Sequence, residues 1–465
     1  MRVQIAESTY EFEISYPVVV IGAGACGLSA ALAVRDQNID VLVLERDDTP
    51  MGTTAMSTGL IPAAGTPEQK AQDITDSPKI FAADIQRKSG GKANPEVVDR
   101  LAKESAETVL WLRETHQIPL TLVDGFTYPG HSARRMYGTP NRHGSELMGA
   151  LQAQADKTGV DILTDSLVED LIVDDQKRLL GVRFIRPDGE AEEVGCDALI
   201  LACCGFAGNE QMVAEHIPEM EKAVFHGHPG NRGHAVFWGS ELGAQLSDMD
   251  AYQGHGGLAY GYGVPILWPM IMEGGFQINN LGERFSDETK GYSEQAVNVL
   301  RQPDSIAWSI LDERLYELMI EFDDFKEAIS AGAVVQASSI EELAEKTGAP
   351  LQSLNKTFET IDANANANEP DEFGRKFRLD QLLSAPYYCV RVTGALFHTQ
   401  GGLEVDADAR VISEGIPLPN LFAGGGAARG ISGAGGAGYI AGNGLLTATS
   451  LGKIAGRTAA EQVSS

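Results

Sequence analysis

Hydrophobic runs alternate with glycine-rich turns near the amino terminus, and this pattern predicts parallel strands joined by helices. Residues 18–21, "VVVI", form a β-branched run typical of a central strand that is buried on both faces. The segment "LSAALAVRDQ" (28–37) then predicts a helix, and "DVLVLE" (40–45) predicts a second strand. The chain is therefore expected to begin with a βαβ unit.

Two later segments repeat the change from an apolar strand to a glycine turn. "CDALILACCGFAG" (196–208) reads as a buried strand that runs into such a turn. Near the carboxyl end, residues 418–456 combine a strand, a glycine-dense loop and a helix of small residues. Glycines of this kind let backbone amides approach a flat ring system closely. Between the two segments, "SIEELAEKTGAPLQSLNKTFETIDANANA" (339–367) has a helical pattern.

The spacing Gly22-x-Gly24-x-x-Gly27 lies between the first predicted strand and its helix. Glycines at these positions allow a tight turn, a close approach of the backbone to a pyrophosphate and close packing of the helix on the strand. The helix amino terminus stabilises phosphate charge. Glu45, 18 residues after Gly27, can accept hydrogen bonds from ribose hydroxyls. The combination predicts a dinucleotide site.

Composition narrows the class of protein without naming a reaction. A chain of 465 residues is long enough for two domains, and 43% apolar with 22% charged residues is typical of a globular protein. The net charge of −29 argues against binding to nucleic acid or to anionic membranes. The amino terminus lacks a signal-peptide pattern, and no apolar run reaches the roughly 18 residues of a membrane helix. We expect a cytoplasmic protein without a membrane span.

The cysteine pattern indicates a reduced protein without structural disulfides or a metal site. The chain has five cysteines without Cys-x-x-Cys spacing, namely Cys26, Cys196, Cys203, Cys204 and Cys389. Cys203 and Cys204 are adjacent, but they close an apolar run and are interpreted as packing residues. The lack of a Cys-x-x-Cys pair and of a second GxGxxG segment also argues against chemistry like that of glutathione reductase.

From Val18 to Gly456 the chain resembles the flavoprotein family of fumarate reductases, succinate dehydrogenases and 3-oxosteroid dehydrogenases. The resemblance is carried by the GxGxxG segment and by "GTTAMSTG", "CCGFAG", "DMDAYQGH", "GERF", "APYYCVRV", "FHTQGG" and "GLLTATSLGKIAG". It implies an α/β fold in which a Rossmann-like FAD-binding domain is interrupted by an α+β capping domain. The expected bounds are 1–255 and 398–465 for the FAD-binding domain and 256–397 for the cap.

The resemblance also implies where FAD is held. Ala55, Met56 and Ser57 stand where covalently attached members place a histidine, so FAD is expected to be noncovalent. Gly426 replaces a glutamate that often holds the ribityl chain. The residues predicted to contact FAD are Gly22, Gly24, Ala25, Cys26, Gly27, Glu45, Arg46, Thr54, Ala55, Ser57, Thr58, Gly59, Val168, Gly205, His398, Gly426, Asn443, Gly444 and Leu445.

The substrate pocket departs from that of a fumarate reductase. Counted from the shared "RF" (Arg284 and Phe285), the family's Thr-Glu pair and proton-relay arginine fall at three apolar residues, which are Leu267, Trp268 and Ile271. A carboxylate desolvated among such side chains costs several kcal/mol without compensating charge. The pattern therefore favours a neutral substrate over a dicarboxylate.

Two tyrosines stand where fumarate reductases carry functional arginines, as in the 3-oxosteroid dehydrogenase branch. Tyr292, in the polar segment "GERFSDETKGYSEQ" (282–295) that we interpret as a turn, aligns with the proton-donor arginine. Tyr439 aligns with the carboxylate-clamping arginine. The resemblance implies that Tyr292 moves a proton on the carbon beside a ketone and that Tyr439 polarises the carbonyl, while a hydride passes to flavin N5.

The histidines could assist these tyrosines. A phenol titrates near pH 10 when unperturbed, so Tyr292 needs surroundings that favour its phenolate. His255 or His398 could provide a hydrogen bond to it, and His255 is predicted to be catalytic. His255 could instead be a satisfied core histidine, and Tyr292 a packing residue. In that case the base is sought at His255, His398 or Tyr137.

Three functions remain open from the sequence. The leading interpretation is an FAD-dependent oxidoreductase that forms or reduces a C=C bond beside a ketone, with a cyclic ketone or enone as substrate and an unidentified electron acceptor. A reductase of an α,β-unsaturated carboxylic acid would need an arginine from "HSARRMYGTPNRHG" (131–144), which contains Arg134, Arg135 and Arg142. These arginines could instead contact FAD phosphates or form surface salt bridges. The third function is flavin binding without turnover.

Overall fold

The structure, a computed structural model, describes residues 1–124 and 127–465. Among these residues the strands are β1 Arg2–Ile5, β2 Ser15–Ile21, β3 Val41–Leu44, β4 Ile61–Pro62, β5 Thr121–Leu122, β6 Met136–Gly138, β7 Asp161–Leu163, β8 Leu167–Val173, β9 Leu179–Ile185, β10 Ala191–Leu201, β11 Val224–Phe225, β12 Leu246–Ser247, β13 Tyr252–Ala259, β14 Phe276–Ile278, β15 Ile306–Asp312, β16 Val334–Ala337, β17 Tyr387–Thr399, β18 Gly402–Leu403, β19 Arg410–Ser413 and β20 Ile416–Ala423.

The α-helices of the same residues vary from single turns to a 21-residue helix at the carboxyl end. Across the described chain, none of them combines the length and the hydropathy needed to cross a bilayer. They are α1 Ala25–Arg35, α2 Gly52–Ala55, α3 Pro67–Ala71, α4 Pro78–Lys88, α5 Pro95–Leu110, α6 Gly144–Thr158, α7 Glu210–His216, α8 His234–Leu242, α9 Pro269–Met272, α10 Tyr292–Leu300, α11 Glu313–Met319, α12 Asp323–Ser330, α13 Ile340–Thr347, α14 Leu351–Ala367 and α15 Asn443–Val463.

The first of two compact units consists of residues 1–217, 227–252 and 398–465. Its main sheet contains parallel strands in the order β7-β3-β2-β10-β20. Strand β10 also pairs with antiparallel β9, and the sheet continues from β9 through β8 to β1. Val18 pairs with Val41 on one side and with Ala198 on the other, and all three side chains are buried. This parallel core confirms the predicted α/β class.

Helices α1 and α15 pack closely because α15 carries glycine where the two backbones meet. A Cβ atom added at Gly452 would lie 2.3 Å from the carbonyl oxygen of Cys26, and one added at Gly456 would lie 2.1 Å from that of Ala30. Real Cβ atoms do not approach so closely, and larger residues would force the helices apart. The small-residue pattern at the carboxyl end is therefore a packing requirement of the nucleotide-binding fold.

The second compact unit consists of residues 218–226 and 253–397. Its sheet has the order β11-β17-β15-β14, with β13 and β16 also paired to β17. The helical pattern of 339–367 forms two helices, α13 and α14, because Gly348 ends the first in a left-handed conformation (φ +73°). The unit boundaries fall at 252/253 and 397/398, and residues 218–226 also belong to this unit. The expected cap of 256–397 stays a prediction.

Candidate active site

The glycine loop between β2 and α1 has the geometry of a phosphate-binding turn. A Cβ atom at Gly22 (φ +100°) would lie 2.7 Å from the carbonyl oxygen of Ala202, and one at Gly27 only 1.8 Å from that of Gly22. At Gly24 the nearest atom would be Thr54 Oγ1 at 3.7 Å. Gly22 and Gly27 are therefore needed for packing, whereas Gly24 leaves its backbone accessible. Gly24, which precedes α1, provides no side-chain cap, and Thr54 Oγ1 accepts the N–H of Ala25 alone, so the amino terminus of the helix can still face a pyrophosphate.

Glu45 lies directly after β3, and its carboxylate is part of the same loop. Its Oε2 accepts a hydrogen bond from the Ala23 backbone N–H at 2.8 Å, and its Oε1 accepts one from the Asp47 N–H at 3.1 Å. The residue is only 8% exposed. Because an ionised carboxylate has about four lone-pair sites, it can still accept hydrogen bonds from a ribose. Its position fits the role predicted from the spacing.

Arg46 and Val168 lie near this end of the sheet. Arg46 Nε is 3.4 Å from Asp47 Oδ1, and Asp47 Oδ2 is also 3.0 Å from His228 Nε2. Val168 is a buried residue of β8. Ser166, two residues before it, donates its N–H to the Glu45 carbonyl oxygen. The segments 45–47 and 166–168 are thus joined by backbone contact, and their contacts with the nucleotide stay a prediction.

The resemblance predicts a flavin loop at 52–66, and its first part, residues 52–59, is hydrogen-bonded to α1 and within itself. The Ala25 backbone N–H donates to Thr54 Oγ1 at 3.2 Å, and Ser57 Oγ donates to the Thr54 carbonyl oxygen at 2.7 Å. The Gly59 N–H in turn donates to Ser57 Oγ at 3.1 Å. Helix α6 packs closely behind the loop, since a Cβ atom at Gly144 would lie 1.9 Å from the Thr54 carbonyl oxygen. Ala55 ends α2, and Thr58 follows Ser57 in the same loop.

Gly426 stands where the resemblance implies a glutamate, and it lies against the turn after β10. A Cβ atom at this position would lie 2.9 Å from the Gly205 backbone nitrogen. Gly205 itself is required, because its Cβ atom would lie 2.0 Å from Thr399 Oγ1. That hydroxyl accepts the Phe206 N–H at 3.2 Å. The sequence did not single out Thr399, although it directly follows His398 in "FHTQGG".

The amino terminus of α15 offers unsatisfied polar groups. Gly442 precedes the helix and provides no side-chain cap. Asn443 is completely buried, and its Nδ2 donates to Ser432 Oγ at 2.7 Å. Its Oδ1 has no hydrogen-bond partner among the residues that the structure describes. A buried acceptor without a partner is unfavourable by itself, so this position fits a bound group that carries a hydrogen-bond donor. Gly444 and Leu445 continue the same turn.

His398 and Tyr439 form one pair of predicted site residues in the first unit. Their ring centroids are 5.7 Å apart in an edge-to-face arrangement, and Tyr439 is 5% exposed. His398 Nδ1 lies 3.2 Å from the Thr399 carbonyl oxygen and 3.1 Å from Gln400 Nε2. Burial lowers the pKa of His398 below its ordinary value. His398 Nε2 faces Gly444, since a Cβ atom there would be 2.8 Å from it.

His255 and Tyr292 form the other pair, in the second unit. Their rings stack at a centroid distance of 5.3 Å with planes 28° apart. Trp268 packs edge-on against both, at 5.6 Å from His255 and 6.1 Å from Tyr292. Trp268 and Ile271 are buried in the apolar cluster against which Leu267 and Tyr292 also pack. Tyr292 and all three predicted apolar residues therefore share one apolar cluster, in which Trp268 contacts Tyr292 directly.

The polar neighbours of Tyr292 predicted a turn, but the structure has Tyr292 in a helix. It is the first residue of α10, and Gly291 before it has φ +150°, a conformation that favours glycine. The polar residues of the preceding segment pair with one another inside the unit. Because side chains on a helix tilt toward its amino terminus, the phenol of Tyr292 lies where the helix dipole favours negative charge.

The arginines of 131–144 have mainly structural partners. Arg135 is 1% exposed, and its guanidinium lies 2.8 Å from Asp76 Oδ1 and 2.7 Å from Asp84 Oδ2. Arg134 pairs with the exposed Asp124 at 2.9 Å. Arg142 is half-buried and has no ion pair within the described part of the chain. A role in ligand binding thus remains open only for Arg142.

Tyr137 is a poor alternative base. Its hydroxyl lies 2.6 Å from Thr66 Oγ1 and 3.1 Å from Glu68 Oε2, and the residue is completely buried. Burial raises the pKa of Tyr137 well above its ordinary value, and the Glu68 carboxylate adds to this. The phenol therefore stays protonated at neutral pH, as a structural hydrogen-bond donor.

Burial keeps the thiols protonated and outweighs the hydrogen bonds that they receive. Burial raises the pKa of Cys203 to about 12 and that of Cys204 to about 11. Burial also raises the pKa of Cys26, which lies beside the nucleotide loop. Since the thiolate is the reactive form, these cysteines behave as apolar packing residues, as interpreted from the sequence.

Sequence reasoning missed the ion cluster around Glu288. Its carboxylate is completely buried and lies 2.7 Å from Arg284 Nη2 and 2.8 Å from Arg375 Nη1. The Glu288 carbonyl oxygen accepts the indole N–H of Trp268 at 3.0 Å. One residue therefore joins the shared "RF" arginine to the tryptophan beside Tyr292. The signal was present as "GERFSDE", but Arg375 lies too far along the chain to be paired by inspection.

Comparison with known proteins identifies the class to which this site belongs. A family profile described as an FAD binding domain matches residues 17–445, so the chain belongs to this FAD-binding family and its cofactor is FAD. The chain is 27% identical over 452 residues to NADH:fumarate oxidoreductase of Klebsiella pneumoniae. That match covers 96% of this chain, which spans about half (48%) of the Klebsiella protein. The chain is thus similar to a fumarate oxidoreductase, and the family to which it belongs is that of the FAD binding domain.

Two solved structures resemble the chain along nearly all of its length. The open conformation of a flavocytochrome c3 fumarate reductase has a TM-score of 0.81 and 26% identity, and the match covers 97% of this chain and 79% of that one. The 3-ketosteroid-Δ4-(5α)-dehydrogenase of Rhodococcus jostii RHA1, solved with 4-androstene-3,17-dione, has a TM-score of 0.79 and 26% identity. Here the match covers 99% of this chain and 100% of that one.

Replacing Glu45 with alanine is expected to weaken FAD binding by about 10- to 100-fold, because the ribose and the Ala23 N–H both lose a charged acceptor. The dissociation constant of FAD, measured by fluorescence titration of the apoprotein, tests this. Glu45→Gln keeps an acceptor oxygen and should weaken binding less. Exposed Glu190→Ala is the control. Equal FAD affinity of Glu45→Ala and the control would contradict the role.

Proposed function

We propose that this protein forms or reduces a C=C bond next to a ketone in a cyclic, largely apolar substrate. The observation that carries the proposal is the position of Tyr292, which stacks on His255 and packs against the buried Trp268. A phenol in an apolar aromatic environment suits proton transfer to or from an uncharged substrate. It offers no counter-charge for a carboxylate.

Each residue has a defined role in this proposal. The C–H bond beside a ketone is acidic, and Tyr292 takes or returns the proton at that carbon. Tyr439 donates a hydrogen bond to the carbonyl oxygen and stabilises the negative charge that develops there. FAD, when bound, supplies the hydride chemistry at the neighbouring carbon. The similarity to a 3-ketosteroid dehydrogenase that was solved with a steroid enone supports this substrate class.

A reductase of an α,β-unsaturated carboxylic acid is the second candidate, and the similarity to NADH:fumarate oxidoreductase favours it. Such an enzyme needs a cation to bind the acid. Arg135 is held by Asp76 and Asp84, and Arg134 pairs with Asp124, which leaves Arg142 as the candidate from that segment. In that case Arg142→Ala should abolish acid binding, whereas on the ketone proposal it should leave enone binding unchanged.

Anaerobic mixing of the chemically reduced holoenzyme with substrates tests the proposal directly. We expect cyclohex-2-enone or 4-androstene-3,17-dione to restore the absorbance of oxidised flavin, and fumarate at millimolar concentration to leave the flavin reduced. Flavin reoxidation by fumarate would overturn the proposal and favour the acid reductase. If no unsaturated compound exchanges electrons with the flavin, steady-state assays with an artificial electron acceptor decide whether the protein has any turnover.

A further inference from the structure

The buried ion cluster around Arg135 is a rigid part of the first unit. Arg135 donates to Asp76 through Nε at 2.9 Å and through Nη2 at 2.8 Å, and its Nη1 lies 2.7 Å from Asp84 Oδ2. All three side chains are almost completely buried. Because two carboxylates hold the guanidinium from different sides, its position and its charge are fixed by the fold.

His131 connects this cluster to the chain just before α15. The Nη1 group of Arg135 can only donate and lies 3.1 Å from His131 Nδ1, so Nδ1 accepts and carries no proton. The proton of the neutral imidazole is then on Nε2, which lies 2.9 Å from the carbonyl oxygen of Ala441. A carbonyl oxygen can only accept, so both contacts require the same tautomer. Phe81 stacks on the imidazole at a centroid distance of 5.8 Å and holds its plane.

The surroundings keep His131 uncharged. Burial lowers the pKa of His131 to about 3, and the charge of Arg135 acts in the same direction. The hydrogen bond to Ala441 and the charge of Asp84 oppose this shift, whereas Arg87 adds to it. The imidazole therefore remains a neutral donor over the pH range in which an ordinary histidine titrates.

The partner of His131, Ala441, lies between two residues predicted for the site. Tyr439 is two residues before it, and the completely buried Asn443, the first residue of α15, is two residues after it. A side-chain contact supports the hydrogen bond, since a Cβ atom at Gly130 would lie 3.2 Å from Ile440 Cγ1. The two segments are thus in contact at consecutive residues, and the position of one depends on the other.

We infer that His131 is a positioning residue, whose Nε2–H holds the Ala441 carbonyl oxygen and thereby fixes Tyr439 and Asn443 relative to the buried ion cluster. The effect of His131 on the reaction rests on the proposed function, in which Tyr439 donates a hydrogen bond to the carbonyl oxygen of the substrate. Such a donor stabilises developing charge only if it is already in place. A displacement of about 1 Å can cost about 10² in rate. His131 acts through Ala441 and needs no contact with the substrate.

Two amide substitutions separate the contact with Ala441 from the contact with Arg135. The amide nitrogen of His131→Gln can take the place of Nε2 and donate to the Ala441 carbonyl oxygen. The shorter side chain of His131→Asn places its amide near the position of Nδ1, where it contacts Arg135 only. Buried His116 provides a matched control in the same unit, because its Nε2 lies 3.3 Å from Asp36 Oδ2 at the carboxyl end of α1.

The position of Tyr439 can be measured without turnover. The holoenzyme is labelled with 3-fluorotyrosine, and the 19F signal of Tyr439 is assigned by its loss in Tyr439→Phe. We expect His131→Gln and His116→Asn to keep the chemical shift of the unmodified protein, and His131→Asn and His131→Leu to shift or broaden the signal. An unchanged signal in His131→Asn, or equal changes in His131→Gln and His131→Asn, would overturn the inference. If His131→Leu does not fold, His131→Asn decides.

Single-turnover reoxidation of the reduced flavin by cyclohex-2-enone measures the effect on chemistry. At saturating enone, His131→Asn should react about 10- to 100-fold more slowly, and His131→Gln should remain close to the unmodified protein. Flavin content and thermal unfolding report on the folding of each variant. Equal rates of His131→Asn and His116→Asn would refute the positioning role and leave the proposed function intact. If the Tyr439 signal moves as expected while enones leave the flavin reduced, the positioning role stands and the proposed reaction is wrong.

Discussion

Tyr292→Phe is expected to slow enone reduction by about 10²- to 10⁴-fold, the usual contribution of a general acid or base. The substitution removes one oxygen and keeps the ring that stacks on His255 and packs against Trp268. Flavin content and thermal unfolding should therefore change little. Single-turnover reoxidation of the reduced flavin by cyclohex-2-enone measures the chemical step, and the loss should appear in kcat rather than in KM alone.

The pH dependence distinguishes the two tyrosines. The variant Tyr292→Phe should lose the pH dependence that arises from the transferred proton. Tyr439→Phe should slow the reaction but retain that dependence, because Tyr439 stabilises charge on the carbonyl oxygen instead of moving the proton. The exposed Tyr260 provides a control in the same unit as Tyr292, and Tyr260→Phe should react like the unmodified protein. A Tyr292→Phe variant with the rate of this control would show that Tyr292 only packs, and Tyr137 could not replace it.

Glu288→Gln is expected to lower the free energy of unfolding of the second unit by about 3–5 kcal/mol, because it leaves buried arginine charge without a partner. The Glu288 carboxylate accepts hydrogen bonds from Arg284, from Arg375 and from the Gln277 N–H at 3.0 Å. Arg284 keeps its ion pair with Asp371, so the buried charge left without a carboxylate is that of Arg375. Urea unfolding followed by tryptophan fluorescence measures the change, since Trp268 donates to the Glu288 carbonyl oxygen.

The same cluster predicts how stability depends on pH. Burial alone would raise the pKa of Glu288, but the charges of Arg375 and Arg284 outweigh it and lower the pKa to about 2. An unfolded glutamate titrates near pH 4.3, so the carboxylate contributes its full stabilisation above about that pH. The contribution is lost as the pH falls from there to about 2. Glu288→Gln should therefore reduce the loss of stability over this range.

Exposed Glu283 is a matched control, five residues earlier in the same segment. Glu283→Gln should leave both the urea midpoint and its acid dependence unchanged. If Glu288→Gln unfolds at the same urea concentration as Glu283→Gln, the cluster does not stabilise the unit. A fall in enone turnover that exceeds the loss of folded protein would indicate that the cluster also positions Trp268 and Tyr292.

The sequence by itself determined the nucleotide-binding half of this protein. Glycine spacing, the buried β-branched run and the acidic residue after the second strand are local features, and each depends on backbone geometry within a few residues. The structure confirms the parallel core that they predict, in which Val18 lies between Val41 and Ala198. The apolar character of Trp268 and Ile271 was also predictable from the sequence, because it follows from residue type alone.

Only the tertiary structure decided which polar residues are available for chemistry. Arg135 looks like a ligand-binding residue in the sequence, but Asp76 and Asp84 approach it from more than fifty residues away and neutralise it inside the fold. His255 is a histidine like any other until Phe397, 142 residues later, stacks on it and the Gly257 N–H selects its tautomer. Charge state and accessibility are set by burial and by distant partners. For this reason they follow from packing and not from local pattern.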